Sequence, residues 1–348
     1  MTPTAILQLR LRNQQLLNSS FTKPEELVRW MGAIQAQDYA GCKWAVGLRT
    51  GADDNRVEEA IDKAKIIRTH VLRPTWHLVH PEDIRWMLML TAPRVHALSA
   101  FGYRQMELTD AIFKQANKAI VKALQGNKQL TRLELQAALQ RAKISTNELR
   151  FIHIMVHAEQ DALVCNGARQ GKQFTYALLD EQVPSTKTIT KEEALVKLTA
   201  RYFKSHGPAT LQDYTWWSGL SAKDAQLGLA SVKSSLISEM VEGKTYWMDH
   251  PTAGSKPAPA VLLLPAFDEY TVSYKDRSFA VDAALAKRTG NGIFKPALMV
   301  DGKIKGIWKR NDKKGEERAE IIPFENLTSA QIKKIKTEIQ KYSVFLGY

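Results

Sequence analysis

The 348-residue chain carries only two cysteines, Cys42 and Cys165. Two isolated thiols make neither a disulfide framework nor a zinc spacing, so each reads as a small semi-buried residue. No apolar run is long enough to span a bilayer. Met1 to Gln14 lacks the apolar stretch of a signal peptide and reads as an amphipathic helix. There is no phosphate-binding glycine loop, no dinucleotide fingerprint, no HExxH pattern and no serine in a nucleophile elbow. His153 and His157 lie four apart on one predicted helix face, but the sequence offers no third ligand nearby, so they read as packing residues. These absences lead to the expectation of a soluble cytoplasmic protein with no metal and no cofactor.

Acidic residues are also in deficit. There are 36 Asp and Glu against 49 Lys and Arg, a formal net charge of +13. A pI near 9.5 points to a polyanionic partner. The basic residues recur in turn-like segments, which favours nucleic acid. A membrane surface is disfavoured, because no helix joins a basic face to a strongly apolar one.

What is present is helical, with hairpins at intervals: mainly α with β, an α+β chain. Thr4 to Leu17 reads as a helix. Phe21 to Ile34 reads as another, with Thr22 as N-cap, Pro24 in the first turn and Leu27, Trp30, Met31 and Ile34 as its buried stripe. A third begins at Val57. Ile66 to Val79 then reads as two strands about Pro74. Helix, helix, helix, hairpin is the order of a winged helix-turn-helix. A long helix follows from His80. The order repeats from Ala111, with Thr131 and Glu134 as a capping box and a wing whose tip, Gly167 to Lys172, carries Arg169 and Lys172. It repeats again after Pro184, with Thr190, Thr210 and Ser221 as caps and a hairpin turning at Glu242-Gly243-Lys244. Gly254 to Pro259 reads as a linker. Beyond it, strands with an Asp301-Gly302 turn suggest a small β-barrel, and Thr328 to Tyr342 a lysine-rich helix. The expected domains are 1–110, 111–184, 185–253 and 254–348: three tandem winged-helix units, then a barrel with a terminal helix.

Gln35 and Gln37 form the most distinctive pair. Two positions apart on a helix they would point about 200° apart. They converge only if the helix ends at or just before Gln35, and Gly41 supports a break soon after. On their own they read as glutamines that cap carbonyls or face solvent. Arg73-Pro74-Thr75-Trp76-His77 sets a cation, a hydroxyl and an imidazole on one face of a hairpin and Trp76 on the other. Either that face is functional, or it is a satisfied polar face with Trp76 in the core. In Leu264 to Ser278, Lys275 reads as a phosphate contact, whereas Asp268 and Asp276 read as structural partners for Arg277.

Together these residues resemble the AlkZ-like (YcaQ/AlkZ, winged-helix DNA-binding-domain) DNA glycosylase family. The resemblance runs through nearly the whole chain. It rests on Gly32 to Gln37, Arg73 to Val79, Gly171 to Tyr176, Ser205 to Thr210, Trp216 to Leu220, Leu264 to Tyr270 and Asn291 to Pro296. It implies three winged-helix units and a β-barrel bent into a C-shape around duplex DNA. It also implies excision of N7-alkylated purines and unhooking of interstrand crosslinks. The family's catalytic motif is glutamine, an apolar residue, then glutamine or aspartate. Gln35-Ala36-Gln37 is the Gln-x-Gln form, since Asp38 stands one residue too late for the other. The expected catalytic pair is therefore Gln35 and Gln37. Arg73, Thr75, His77, Arg169, Lys172 and Lys275 lie near the lesion or on phosphates. The expected partner is double-stranded DNA carrying alkylated purines or crosslinks, met by a monomer at the nucleoid. A non-enzymatic winged-helix regulator is the alternative, and it would need no glutamine pair.

Overall fold

The computed structural model describes residues 1–147, 149–185, 187–250, 260–313 and 316–348. The linker expected at Gly254 to Pro259 lies outside the described residues. No helix among the described residues is long and apolar enough to cross a membrane.

One topology occurs three times. The first round runs α2 (Pro24–Met31), β1 (Ala33–Gln35), α3 (Tyr39–Thr50), α4 (Asp54–Asp62), β2 (Ile67–Val71) and β3 (Thr75–Val79), after α1 (Pro3–Asn13). Helix α5 (Pro81–Gln105) leads to the second: α6 (Asp110–Leu124), β4 (Leu130–Thr131), α7 (Arg132–Arg141), α8 (Arg150–Gln160), β5 (Val164–Asn166), β6 (Thr175–Leu178) and the short α9 (Leu179–Gln182). The third is α10 (Lys191–His206), α11 (Leu211–Ser218), α12 (Ala222–Val232), β7 (Ile237–Val241) and β8 (Lys244–Met248). In each, a segment after the first helix adds to the outer strand of the hairpin. The sheets run β1-β3-β2 and β4-β6-β5, and in the third round a single bridge joins Ala209 to Trp247 of β8. The expected capping boxes at Thr131, Thr190 and Thr210 are formed, and Ser221 caps α12.

The first round departs from the sequence reading. Thr22 does not cap α2; Lys23 holds the N-cap position with no side-chain bond. The helix stops at Met31, where Gly32 takes a φ of 81° that a side chain resists. Ile34 and Gln35 therefore leave the helix and enter β1. Helix α3 went unforeseen because Gly41 and Gly47 look like breakers. Gly41 lies under the Asp38 cap, and a Cβ on Gly47 would meet the Phe345 ring at 2.6 Å. The round's three helices are α2, α3 and α4. Helix α1, counted among them from the sequence, packs elsewhere.

The C-terminal part holds β9 (Val261–Leu264), α13 (Glu269–Val272), α14 (Ala286–Thr289), β10 (Ala297–Val300), β11 (Lys303–Arg310), β12 (Ala319–Pro323) and α15 (Ser329–Phe345). The expected barrel strands form a four-stranded antiparallel sheet, β12-β11-β10-β9, in which β9 and β12 are not paired among the described residues. Both faces are covered, which is why β9 reads as an unbroken apolar run. Val261 and Leu263 pack with Ile339, Tyr342 and Phe345 of α15. Leu262 and Leu264 pack with Leu7 and Leu11 of α1.

Candidate active site

The two glutamines sit where a strand gives way to a helix. Gln35 is the last residue of β1, opposite His77 of β3. Gln37 follows the strand and precedes Asp38, whose side chain caps α3. Neither glutamine is helical, so the divergence of about 200° that a helix would impose does not apply. The side-chain carbonyl of Gln35 accepts the backbone N–H of Gln37 at 3.2 Å. Ala36 between them is buried; its N–H donates to the Trp76 carbonyl at 2.7 Å. Gln35 is 6% exposed, whereas Gln37 is exposed.

A carboxylate distant in sequence holds this turn. Glu269, 1% exposed, accepts the Gln35 backbone N–H at 2.6 Å and the Trp217 indole N–H at 3.1 Å. It also accepts the Ser273 hydroxyl, and His206 Nε2 lies 3.5 Å away. Burial alone would raise its pKa, but His206, Ser273 and the nearby His77 hold it down to about 2. Ionisation is consistent with its partners, because backbone N–H and indole N–H groups can only donate. The preceding residue anchors the same loop. Asp268 takes both outer nitrogens of Arg49 from α3 at 2.8 Å each, with both side chains buried. The sequence reading paired Asp268 or Asp276 with Arg277. The structure pairs Asp268 with Arg49 and Asp276 with Lys244, while Arg277 donates to the Tyr274 carbonyl.

The polar face of the β2–β3 hairpin is not internally satisfied. Thr69 and Gln35 flank His77 in one row across the sheet. Thr69 Oγ1, Thr75 Oγ1, His77 Nε2 and Arg73 Nε are buried with no hydrogen-bond partner among the described residues. His77 is fully buried, and burial together with the Arg73 charge drives its pKa down to about 3. Its Nδ1 contacts the Thr75 carbonyl at 2.9 Å. A carbonyl can only accept, so Nδ1 carries the proton and Nε2 is left as a bare acceptor. These unpartnered atoms are closed off from solvent as the protein stands.

The opposite face of the hairpin is aromatic and cationic. Trp76 is half-buried rather than in the core. The Arg68 guanidinium lies 4.0 Å from the Trp76 ring and 4.8 Å from Phe174 of the second-round wing. It donates to the Ala36 carbonyl at 3.1 Å. Arg68, Trp76, Arg132, Lys172 and Phe174 line a cavity of about 370 Å³. Lys172 is thus brought into the same cavity as Arg68, which bonds the motif's middle residue. Arg169 is brought near it too, but not as a free cation: it is 2.9 Å from the Glu58 carboxylate and lies over the Tyr39 ring. Arg73 and Lys275 approach one ring, Trp216, at 5.6 and 4.7 Å.

Sequence reasoning missed Glu269, Trp217 and Arg68. The first two lay within motifs singled out as Leu264 to Tyr270 and Trp216 to Leu220, but nothing local tied them to Gln35. Arg68 carried no signal beyond its place in a predicted strand.

The chain is basic, with a formal net charge of +13, and repeats one helix–hairpin topology three times. The chain belongs to the AlkZ-like DNA glycosylase family, whose sequence model, described as DNA glycosylase AlkZ-like, matches residues 28–345. It is thus a DNA glycosylase and not a regulator. The structure is similar to that of the Streptomyces sahachiroi DNA glycosylase AlkZ, with a TM-score of 0.81 over 99% of this chain and 97% of that one. The identity is 22%, so this likeness carries the fold. No curated protein matches the chain in sequence.

Proposed function

We propose that this glycosylase hydrolyses the N-glycosidic bond of N7-alkylated purines in duplex DNA, with Gln35 and Gln37 as its catalytic pair. The observation that carries the reading is the fixed turn at Gln35-Ala36-Gln37. Its first amide is tied to buried Glu269, its middle carbonyl accepts from Arg68 of a basic, aromatic-lined cavity, and its last side chain is exposed. Alkylation at N7 makes guanine cationic and a good leaving group, so no strong acid is needed. The transition state resembles an oxocarbenium ion. The Gln37 carbonyl positions the attacking water, and Gln35 orients water or sugar; both supply dipoles to the developing positive charge. Neutral amides are poor bases, so the pair positions water rather than deprotonating it early. Thr75 and Arg73, half-buried on the hairpin, face the deoxyribose side, and buried His77 braces the strand opposite Gln35. Lys172 and Lys275 meet phosphates, and Arg169, paired with Glu58, contributes less charge to them. The protein acts as a monomer on damaged DNA in three winged-helix units.

The same site suits N7-linked interstrand crosslinks. Most glycosylases flip the base into a closed pocket, which a base tied to both strands cannot enter. A shallow site that draws selectivity from the lability of the cationic bond avoids that demand. The test is incubation with a duplex holding one N7-methylguanine and, separately, one N7-linked crosslink. Free base and an abasic site are expected from the first and strand separation from the second. Tight binding of both without release of base would sink the assignment.

A further inference from the structure

Away from the glutamines, three side chains converge where α5, α6 and α8 meet. His96 comes from α5, His157 from α8, and Asp161 ends α8. One ligating atom from each lies within 4.8 Å of the others. His157 alone suggested no site in the sequence, because the second imidazole arrives from a helix about 60 residues earlier and the carboxylate follows it by one turn.

We propose that His96, His157 and Asp161 form a site for a divalent transition-metal ion, Zn²⁺ being the natural occupant. Four geometric facts support this. His96 Nε2 is 3.2 Å from Asp161 Oδ1, and His157 Nδ1 is 3.1 Å from Asp161 Oδ2. Ligand atoms on a tetrahedral Zn²⁺ with bonds of about 2.0–2.1 Å stand roughly 3.3 Å apart, so both His–Asp spacings already suit a shared ion. Secondly, the His157 Nδ1 contact is close but is not a hydrogen bond, and that nitrogen is buried without a partner among the described residues. His96 Nε2 is hydrogen-bonded to Asp161 Oδ1, a contact that an ion held between them would replace. Thirdly, each imidazole is already oriented. His96 Nδ1 lies 3.3 Å from the Tyr103 hydroxyl, which leaves Nε2 turned to the cluster. The His157 ring stacks on Phe113 at 3.7 Å and 15°. Fourthly, a cavity of about 620 Å³ opens at His157 and Asp161, so water can complete the coordination. Exposed Lys114 and Lys118 on its rim weaken binding only through screened repulsion.

Two imidazoles and one carboxylate without a thiolate select Zn²⁺, Co²⁺, Ni²⁺ or Cu²⁺ over the oxygen-seeking Mg²⁺ and Ca²⁺. The ion would clamp the connecting helix α5 to the second round, fixing how the first two helix–hairpin rounds sit on a duplex. The inference does not depend on the glycosylase chemistry. The test uses the full, untagged chain after chelator treatment and dialysis. Titration with Zn²⁺ followed by calorimetry should give one equivalent bound, and Co²⁺ should give visible d–d bands. Zn²⁺, but not Mg²⁺, should raise the melting temperature. His96→Ala and Asp161→Asn should each weaken Zn²⁺ binding more than about tenfold while keeping the fold by circular dichroism. The two substitutions lie on different elements, so loss of fold in one leaves the other to decide. Absence of stoichiometric Zn²⁺ binding, or binding in both variants as tight as in the unsubstituted protein, would overturn the site and leave a His96–Asp161 hydrogen bond with His157 packed beside it.

Discussion

The Glu269 carboxylate accepts the backbone N–H of Gln35 at 2.6 Å, across 234 positions of sequence. Through Trp217 and His206 the same carboxylate reaches the third helix–hairpin round. One buried charge therefore joins the first round, the third round and the C-terminal part at the first glutamine of the motif.

Replacing that charge should loosen the motif. Glu269→Gln keeps the shape but turns an amide N–H₂ toward groups that themselves donate. The expected cost is about 2 kcal/mol in urea unfolding, from hydrogen bonds to a charged acceptor. Single-turnover excision should slow roughly tenfold to a hundredfold through misplacement of Gln35, with DNA affinity little changed. Unaltered single-turnover rates would remove Glu269 from any positioning role.

Its neighbour should behave differently. Asp268→Ala strands the buried Arg49 guanidinium without its bidentate partner. Removing one member of a buried pair costs about 3–5 kcal/mol. Urea midpoints should fall accordingly, while the fraction that remains folded should still bind DNA.

Gln37→Ala should lower the excision rate on the order of 10²-fold, the scale of losing one preorganised dipole, and leave binding intact because Gln37 is exposed. Gln35→Ala should also lower the rate. It should cost some stability as well, since its side-chain carbonyl satisfies the Gln37 N–H. Full excision by Gln37→Ala would refute the assignment of this pair.

Acid should destabilise the protein in two stages. His77 has a pKa near 3 when folded against about 6.5 unfolded. The unfolded chain therefore binds more protons, and the stability present above pH 6.5 is lost as pH falls toward 3. Glu269, near 2 when folded and about 4.3 unfolded, adds a second loss between those values. Melting temperatures should fall below pH 6.5, with a shallower decline in His77→Gln. Excision rates should stay flat from about pH 5 to 8, because glutamine does not titrate and His77 is already neutral.

Salt dependence should sort the cations. Lys172→Ala and Lys275→Ala, both at exposed positions, should each reduce the slope of log affinity against log salt by about 1. Arg169→Ala should change it less, because its charge is already paired with Glu58. Equal slopes for all three variants would contradict that ranking.

The amino-acid sequence by itself determined the hairpins, most of the helices and the threefold order, since caps, turn residues and apolar spacing are local signals; it missed α3 and placed α1 in the first round. Thr131, Thr190 and Thr210 form the capping boxes their spacing promises, and Asp301-Gly302 makes its turn. The Gln-x-Gln pair was legible as a motif. Its geometry was not, because Gly32 alone does not say that β1 will add to β3. The tertiary structure decided that addition, the burial of Gln35 and the unsatisfied polar row around His77. It also decided the role of Glu269 and the meeting of Arg68 with Phe174. These depend on burial and charge compensation between segments far apart in the chain, and no local propensity encodes them.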